Sequence, residues 1–154
     1  MKIVEKNKPV SEKYLQTLLT YYEEEISGES YFYCLYEHFS EKEKTILLAR
    51  IERIAAKTVE PLLKKYSLVA RDPEVLHQEG LSHVEQHQCY SWNQFMTYIV
   101  ERYPAYLDEF EDLEAMAPME DIVALKRLTE HEIVVIDFAH KELAGDEDSV
   151  APLM

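Results

Sequence analysis

The chain has 154 residues, enough for one domain whose core needs no disulfide or metal to hold it together. Acidic residues outnumber basic ones by 30 to 16, and the formal charge of -14 argues against nucleic acid or an anionic membrane surface as a partner. The sequence has no apolar run of the length of a signal peptide or a membrane span, so we expect one cytoplasmic domain over residues 1–154.

The first predicted helix begins after Ser11, whose hydroxyl can accept a hydrogen bond from the first helical turn. We expect it to reach about Phe39, because apolar residues recur there with the 3.6-residue period of a helix. The segment from Tyr31 to Tyr36 is apolar on every side, which is typical of the centre of a bundle or of a surface beneath a second subunit. A homodimer is therefore the expected assembly.

A second helix is predicted after a short break around Ser40. Ser40 and Glu43 have the spacing of a capping box, in which the two side chains bind free amides at the start of a helix. Pro61 removes one helical hydrogen bond and clashes with the turn before it. It therefore predicts a kink or an end of the second helix.

A third helix is predicted from Pro73 to about Tyr103. Asp72 is a suitable N-cap, and proline is favoured at the first helical position that follows it. Gly80 is the expected weak point of this helix, because glycine is a poor helix former. Pro104 is the expected end.

Two further helices complete the predicted fold. A short one over about residues 105–115 is expected to cross the end of the bundle. The last long helix carries apolar residues at helical spacing from Ile122 to Leu143, and Gly145 is its expected C-terminal cap. No segment has strand character, so the sequence predicts an all-α four-helix bundle with a short extra helix between helices 3 and 4.

Three glutamates interrupt the apolar faces of three different helices. Glu29, Glu52 and Glu132 each lie near the middle of a predicted helix among apolar neighbours. A carboxylate in a low-dielectric interior is costly unless a cation, a metal or hydrogen bonds compensate it. Their coincidence predicts one shared site, although a small rotation of its helix would bring any single glutamate to the solvent edge.

Histidines on the third helix are further candidates. His83 and His87 are four residues apart and share a helix face, a spacing that lets two imidazoles bind one metal ion. Alternatively, these histidines belong to a polar helix face that is exposed to solvent. His87 is the histidine expected to point inward. His131 is expected to support its neighbour Glu132 by donating a hydrogen bond to it.

The segment Ile26-Ser27-Gly28-Glu29-Ser30 resembles the Gly-Glu-Ser segment that carries the first iron-binding glutamate of rubrerythrin-like proteins. With its long helices, the chain is similar to the ferritin-like superfamily of four-helix bundles. The resemblance implies a metal site for iron or manganese with Glu29, Glu52 and Glu132 as ligands, to which His87 of the third helix could add a nitrogen. It also implies the activity of a di-iron-type oxidoreductase.

The chain departs from this pattern where the family typically has Glu-x-x-His on helices 2 and 4. The residues three positions after Glu52 and Glu132 are Ala55 and Val135. A metal-free bundle that acts through protein contacts is therefore an alternative, and it expects the same glutamates to pair with arginines or tyrosine hydroxyls. A further alternative is a sensor that binds a small molecule in an apolar pocket beside Trp92.

Overall fold

The computed structural model describes residues 10–154, and this part of the chain contains six α-helices and no β-strand. The helices are α1 (Glu12–Leu35), α2 (Lys42–Lys65), α3 (Pro73–His87), α4 (Trp92–Arg102), α5 (Pro104–Met116) and α6 (Ile122–Leu143). Short 3₁₀ helices, Met119–Asp121 and Ala151–Leu153, precede and follow α6. The predicted all-α class is confirmed.

The helices pack around a buried core that has two parts. α1 lies against α2 and α3, while α6 contacts α2, α4 and α5. One part of the core includes Phe32 and Phe95, and the other includes Leu18 and Phe110. The candidate site described below is lined by both Phe32 and Phe110, so it lies where the two parts meet.

Three local signals in the sequence act as predicted. The Ser11 hydroxyl accepts a hydrogen bond from the Tyr14 amide at 3.1 Å, and the Asp72 carboxylate accepts one from the Glu74 amide at 2.8 Å. Gly145 has a φ of +73°, the left-handed conformation that glycine adopts without strain just after a helix. These three predictions are confirmed. Each signal depends only on nearby residues, so the sequence alone could predict it.

The link between α1 and α2 differs from the prediction. α1 ends at Leu35 rather than Phe39, and residues 36–38 form a turn. Since α2 begins at Lys42, Glu41 takes the N-cap position and the Ser40 hydroxyl instead donates to the Glu41 carboxylate at 3.2 Å. The predicted capping box at Ser40 is therefore wrong.

α2 continues through Pro61 to Lys65, so the helix does not end at the proline. Val59, Leu62 and Leu63 lie on both sides of Pro61 and are buried. Their packing outweighs the one hydrogen bond that proline removes.

The third predicted helix is two helices, and the prediction of one continuous helix is wrong. The chain breaks after α3, and the Ser91 hydroxyl accepts a hydrogen bond from the Gln94 amide while the Gln94 side chain binds the Ser91 amide. This complete capping box starts α4 and overrides the helical periodicity that runs across the break. The separate helix predicted over about residues 105–115 is confirmed as α5.

Gly80 lies inside α3, where the helix approaches α1 closely. A Cβ atom at this position would lie 2.3 Å from the backbone oxygen of Ser27, a distance that real contacts do not reach. The Ser27 hydroxyl also donates to the Leu76 carbonyl at 3.0 Å. Gly80 thus allows the close packing of two helices.

The apolar segment that begins at Tyr31 is mostly internal. Tyr31, Phe32 and Leu35 are buried, whereas Tyr33 is 43% exposed. The homodimer inferred from this segment stays a prediction. Over residues 10–154, every helix is too short or too polar to cross a lipid bilayer.

Candidate functional site

A cavity of about 440 Å³ lies among α1, α2 and α6 and the shorter helices α3 to α5. Five acidic side chains line it: Glu24, Glu25, Glu52, Glu79 and Glu132. Among the described residues, neither lysine nor arginine lines the cavity. The interior is therefore acidic and has no fixed positive charge to balance it.

Glu25 points into the cavity because it lies on the buried face of α1. Tyr14, Leu18 and Phe32 mark that face at helical spacing and are fully buried, and Glu25 itself is only 7% exposed. Its Oε2 atom is buried and has no hydrogen-bond partner within residues 10–154. A buried acceptor without a donor is costly, so this oxygen calls for an explanation.

Glu52 approaches α1 at Gly28. A Cβ atom at Gly28 would lie 3.1 Å from Cδ and 3.2 Å from Oε1 of Glu52, so glycine leaves just enough room for the carboxyl group. Burial raises the pKa of both Glu25 and Glu52, and each carboxyl group acts on the pKa of the other. The pKa of Glu25 is raised more strongly, by burial first and then by the neighbouring charges of Glu52 and Glu132.

Glu132 brings a third carboxyl group to the cavity from α6. Burial raises its pKa well above the usual range, and the charges of Glu52 and Glu24 raise it further. Its buried Oε1 atom has no hydrogen-bond partner in the described part of the chain. Over that same part, no lysine or arginine forms an ion pair with Glu25, Glu52 or Glu132. The arginine pairing that a metal-free bundle was expected to give Glu52 and Glu132 is thus absent among the described residues.

Glu24 and Glu79 lie at the outer part of the cavity. Burial raises the pKa of Glu24 to about 7, with further contributions from the charges of Glu109 and Glu52, so its charge changes near neutral pH. Glu79 is neutralised by Arg71, whose guanidinium donates to both carboxylate oxygens at 2.6 and 3.1 Å. In the outer part of the cavity, therefore, Arg71 balances the charge of Glu79, whereas Glu24 changes its charge near neutral pH.

A row of aromatic rings forms another wall of the cavity. Successive ring centroids are 5.7 Å apart for Tyr31 and His87, 4.4 Å for His87 and Tyr98, 6.3 Å for Tyr98 and Tyr103, and 5.5 Å for Tyr103 and Tyr106. Tyr106 is 39% exposed and marks the outer end of the row. We call these five residues the aromatic wall.

His87 is the last residue of α3 and is buried. Its Nδ1 atom lies 2.6 Å from the Tyr31 hydroxyl oxygen, so only Nε2 could bind a ligand. Burial lowers the pKa of His87, with a smaller contribution from the charge of His83. His87 is therefore neutral at physiological pH.

Three of the four site residues predicted from the sequence line the cavity: Glu52, His87 and Glu132. The fourth, Glu29, lies one helical turn after Glu25 and is not among the lining residues in the described chain. Burial raises the pKa of Glu29, while the charges of Arg53 and Lys57 lower it. A ligand role for Glu29 stays a prediction.

His131 was expected to donate a hydrogen bond to Glu132, and it does not. It lines a separate cavity with Leu47 and Leu153, because the neighbouring positions 131 and 132 of α6 point in different directions.

Sequence reasoning missed Glu25 because the Gly-Glu-Ser segment drew attention to Glu29. The spacing of Leu18, Glu25 and Phe32, seven residues apart, could have identified the correct face of α1. Tyr98 and Tyr103 were missed because the third helix was predicted as continuous, which hid the turn that brings them to the cavity. Tyr106 lies on the separate short helix, whose orientation toward the cavity its own sequence does not show.

Over residues 10–154, no group of three or more histidine, cysteine, aspartate or glutamate side chains is arranged to hold a metal ion. No protein-family model matches the chain, and no curated protein or solved structure shows significant similarity to it. The function must therefore be inferred from the chemistry of the cavity.

Proposed function

We propose that this protein binds a cation in the cavity between α1, α2 and α6. The observation that carries the proposal is the meeting of Glu25, Glu52 and Glu132 from three helices, with two carboxyl oxygens that have no donor among the described residues. Such burial destabilises a fold, so it is more often found where a ligand supplies the missing partner. The net charge of -14 also attracts cations to the surface.

Protons compensate the acids when no other cation does. The raised pKa values of Glu25 and Glu132 mean that these groups keep their protons to a higher pH than an ordinary glutamate does. A bound cation favours the ionised carboxylates and releases those protons. Binding is therefore an exchange of protons for another positive charge.

An iron or manganese ion is one candidate occupant, and it would make this chain a ferritin-like metal protein of the oxidoreductase type. Carboxylate oxygens suit these ions, and the Nε2 atom of His87 is an available nitrogen donor. The fit is incomplete, since Ala55 and Val135 replace the usual histidines and the described residues lack a group of three converging ligands. We therefore derive no reaction step from a metal.

A metal-free protein that binds a small molecule is the second candidate. The aromatic wall favours it, because five rings lining one cavity give an organic ligand surface to pack against. The cavity volume of about 440 Å³ also lies within the range of small-molecule sites, roughly 300–1,000 Å³.

Isothermal titration calorimetry with a panel of cations tests the proposal. The panel contains Mn(II), Fe(II) under anaerobic conditions, and n-butylammonium chloride. We expect at least one member to bind, and we expect Glu25→Gln and Glu132→Gln to remove that binding. Glu130→Gln is the matched control, because Glu130 is an exposed glutamate on α6. The proposal fails if no cation binds, or if binding survives both cavity substitutions.

A further inference from the structure

We infer that the occupant is an organic ammonium ion, with its charged group among Glu25, Glu52 and Glu132 and its carbon skeleton against the aromatic wall. The inference rests on the proposed cation-binding function and adds the chemical class of the ligand. Three features of the cavity support it: carboxyl oxygens without a hydrogen-bond donor, the aromatic wall and the negative sign of the lining charges.

The free acceptors match the donors of an ammonium group. Glu25 Oε2 and Glu132 Oε1 are buried oxygens without a donor in the described chain, and they belong to different helices. A primary ammonium group carries three N–H donors, and its hydrogen bonds of about 2.7–3.2 Å are longer than metal–oxygen bonds of about 2.0–2.2 Å, so it can bind carboxylates that surround a wider space than a metal ion tolerates. A metal ion requires ligands that converge on one point, and the described residues do not provide them.

The aromatic wall offers a surface that a bare metal ion would not use. Ring faces attract ammonium groups and the polarised CH₂ groups next to them, and ring edges pack against alkyl chains. Tyr103 lines the same cavity as Glu52 and Glu132, so the rings and the acids share one space. Burial raises the pKa of Tyr103, and the charges of Tyr31 and of those two acids raise it further. A ligand with a charged end and an apolar stem contacts both.

The lining charges exclude ligands that carry an anionic group. In the described chain no lysine or arginine faces the cavity, and Arg71 at its edge is already bound to Glu23 and Glu79. An amino acid or a phosphorylated amine would bring a negative group into an acidic interior without a partner. The ligand is therefore an amine without a carboxylate or phosphate.

Calorimetry with four matched probes tests this inference on the full chain. The probes are n-butylamine, which is cationic, 4-aminobutanoate, which adds a carboxylate, 1-butanol, which is neutral, and Mn(II). We expect n-butylamine to bind, and both 4-aminobutanoate and 1-butanol to bind at least about tenfold more weakly. 4-Aminobutanoate brings a carboxylate that has no cationic partner in the cavity, and 1-butanol cannot form an ion pair with the glutamates.

Tyr106→Leu separates an organic ligand from a metal ion. Tyr106 is partly exposed, so its replacement is expected to leave the fold intact, which circular dichroism and thermal unfolding verify. Loss of one ring face is expected to weaken n-butylamine binding about fivefold. Binding of Mn(II), if present, should not change.

The outcomes distinguish this inference from the proposed function. Binding of Mn(II) or Fe(II) that depends on Glu25 and Glu132, without binding of n-butylamine, overturns the ammonium inference and leaves cation binding in place. Equal affinities for 1-butanol and n-butylamine also overturn it, because they indicate an apolar pocket. The absence of binding by every cation removes both proposals.

Discussion

Asp121, just before α6, is fully buried, and its carboxylate accepts hydrogen bonds from Tyr14 and Lys65, both at 2.7 Å, and from Tyr66. Glu25 is buried almost as completely in the cavity, but one of its oxygens lacks a donor within residues 10–154. Both acids lie in the interior of the same bundle. They differ in whether the fold supplies the positive charge and the donors.

The pKa values follow that difference. Burial acts to raise the pKa of Asp121, but the hydrogen bonds from Lys65, Tyr66 and Tyr14 together lower it below the ordinary value. At Glu25, burial and the neighbouring glutamates all raise the pKa. The compensated buried acid thus joins helices, whereas the uncompensated one lies where we propose that a ligand binds.

Asp121→Ala should have the largest effect on stability. It removes the common acceptor of three donors that come from α1, from α2 and from the residue after α2, and leaves Lys65 with only the longer ion pair to Glu120 at 3.6 Å. We expect the free energy of unfolding to fall by about 3 kcal/mol, measured by urea denaturation. A loss below about 1 kcal/mol would show that the network contributes little beyond an ordinary hydrogen bond.

Glu25→Gln should change stability in the opposite direction, toward a more stable protein. The amide fills the same space but requires no proton to stay neutral, so the cost of protonating a carboxyl group at pH 8 disappears. We expect the free energy of unfolding to rise by about 1 kcal/mol at that pH. Glu130→Gln serves as the control, and a destabilised Glu25→Gln variant would contradict the assignment of Glu25 as an uncompensated acid.

The pH dependence of stability should separate the two regions. Groups with raised folded pKa values, Glu25, Glu132 and Glu24, lose protons more readily in the unfolded chain, so stability falls as pH rises toward their folded pKa. Asp121 has a lowered folded pKa, so its contribution is lost only as pH falls below about 4.

Thermal unfolding between pH 6.5 and 8.5 measures this difference, because the lowered pKa values of His87 and His131 act mainly below that window. We expect the Tm of the native chain to fall across the window. The Glu25→Gln, Glu132→Gln double variant should show a smaller fall. An identical slope in both proteins would contradict raised pKa values at these residues.

Gly28→Ala should have the smallest effect on stability and a clear effect on binding. Alanine is the better helix former by about 1 kcal/mol, which offsets the tight contact of its Cβ with Glu52. The Glu52 carboxyl group must move by a few tenths of an ångström. We expect a Tm close to that of the native chain and a several-fold weaker cation affinity in calorimetry; an unchanged affinity would show that the position of Glu52 is not critical.

Much of the fold could be predicted because its signals are local. Ser11, Asp72 and Gly145 mark helix ends through bonds or conformations that involve only adjacent turns. The break at Ser91 was also encoded locally, by its pairing with Gln94, but the apolar periodicity on both sides concealed it. The passage of α2 through Pro61 depends on burial by other helices, which the sequence of one helix does not display.

The candidate site was only partly predictable for a related reason. Glu52 and Glu132 were identified because each interrupts an apolar face. Choosing between Glu25 and Glu29 required the rotation of α1, which its packing against α2 and α3 determines. The aromatic wall required the turn between α3 and α4, since that turn sets the relative positions of His87 and Tyr98.

The most direct test compares Glu25→Gln with Glu29→Gln in calorimetric titrations of the cation that the native chain binds. The two residues lie one turn apart on α1, so the substitutions are chemically identical and differ only in which side chain lines the cavity. We predict that Glu25→Gln abolishes binding and that Glu29→Gln leaves the affinity within about twofold of the native value. Loss of binding in Glu29→Gln with full binding in Glu25→Gln would contradict this prediction.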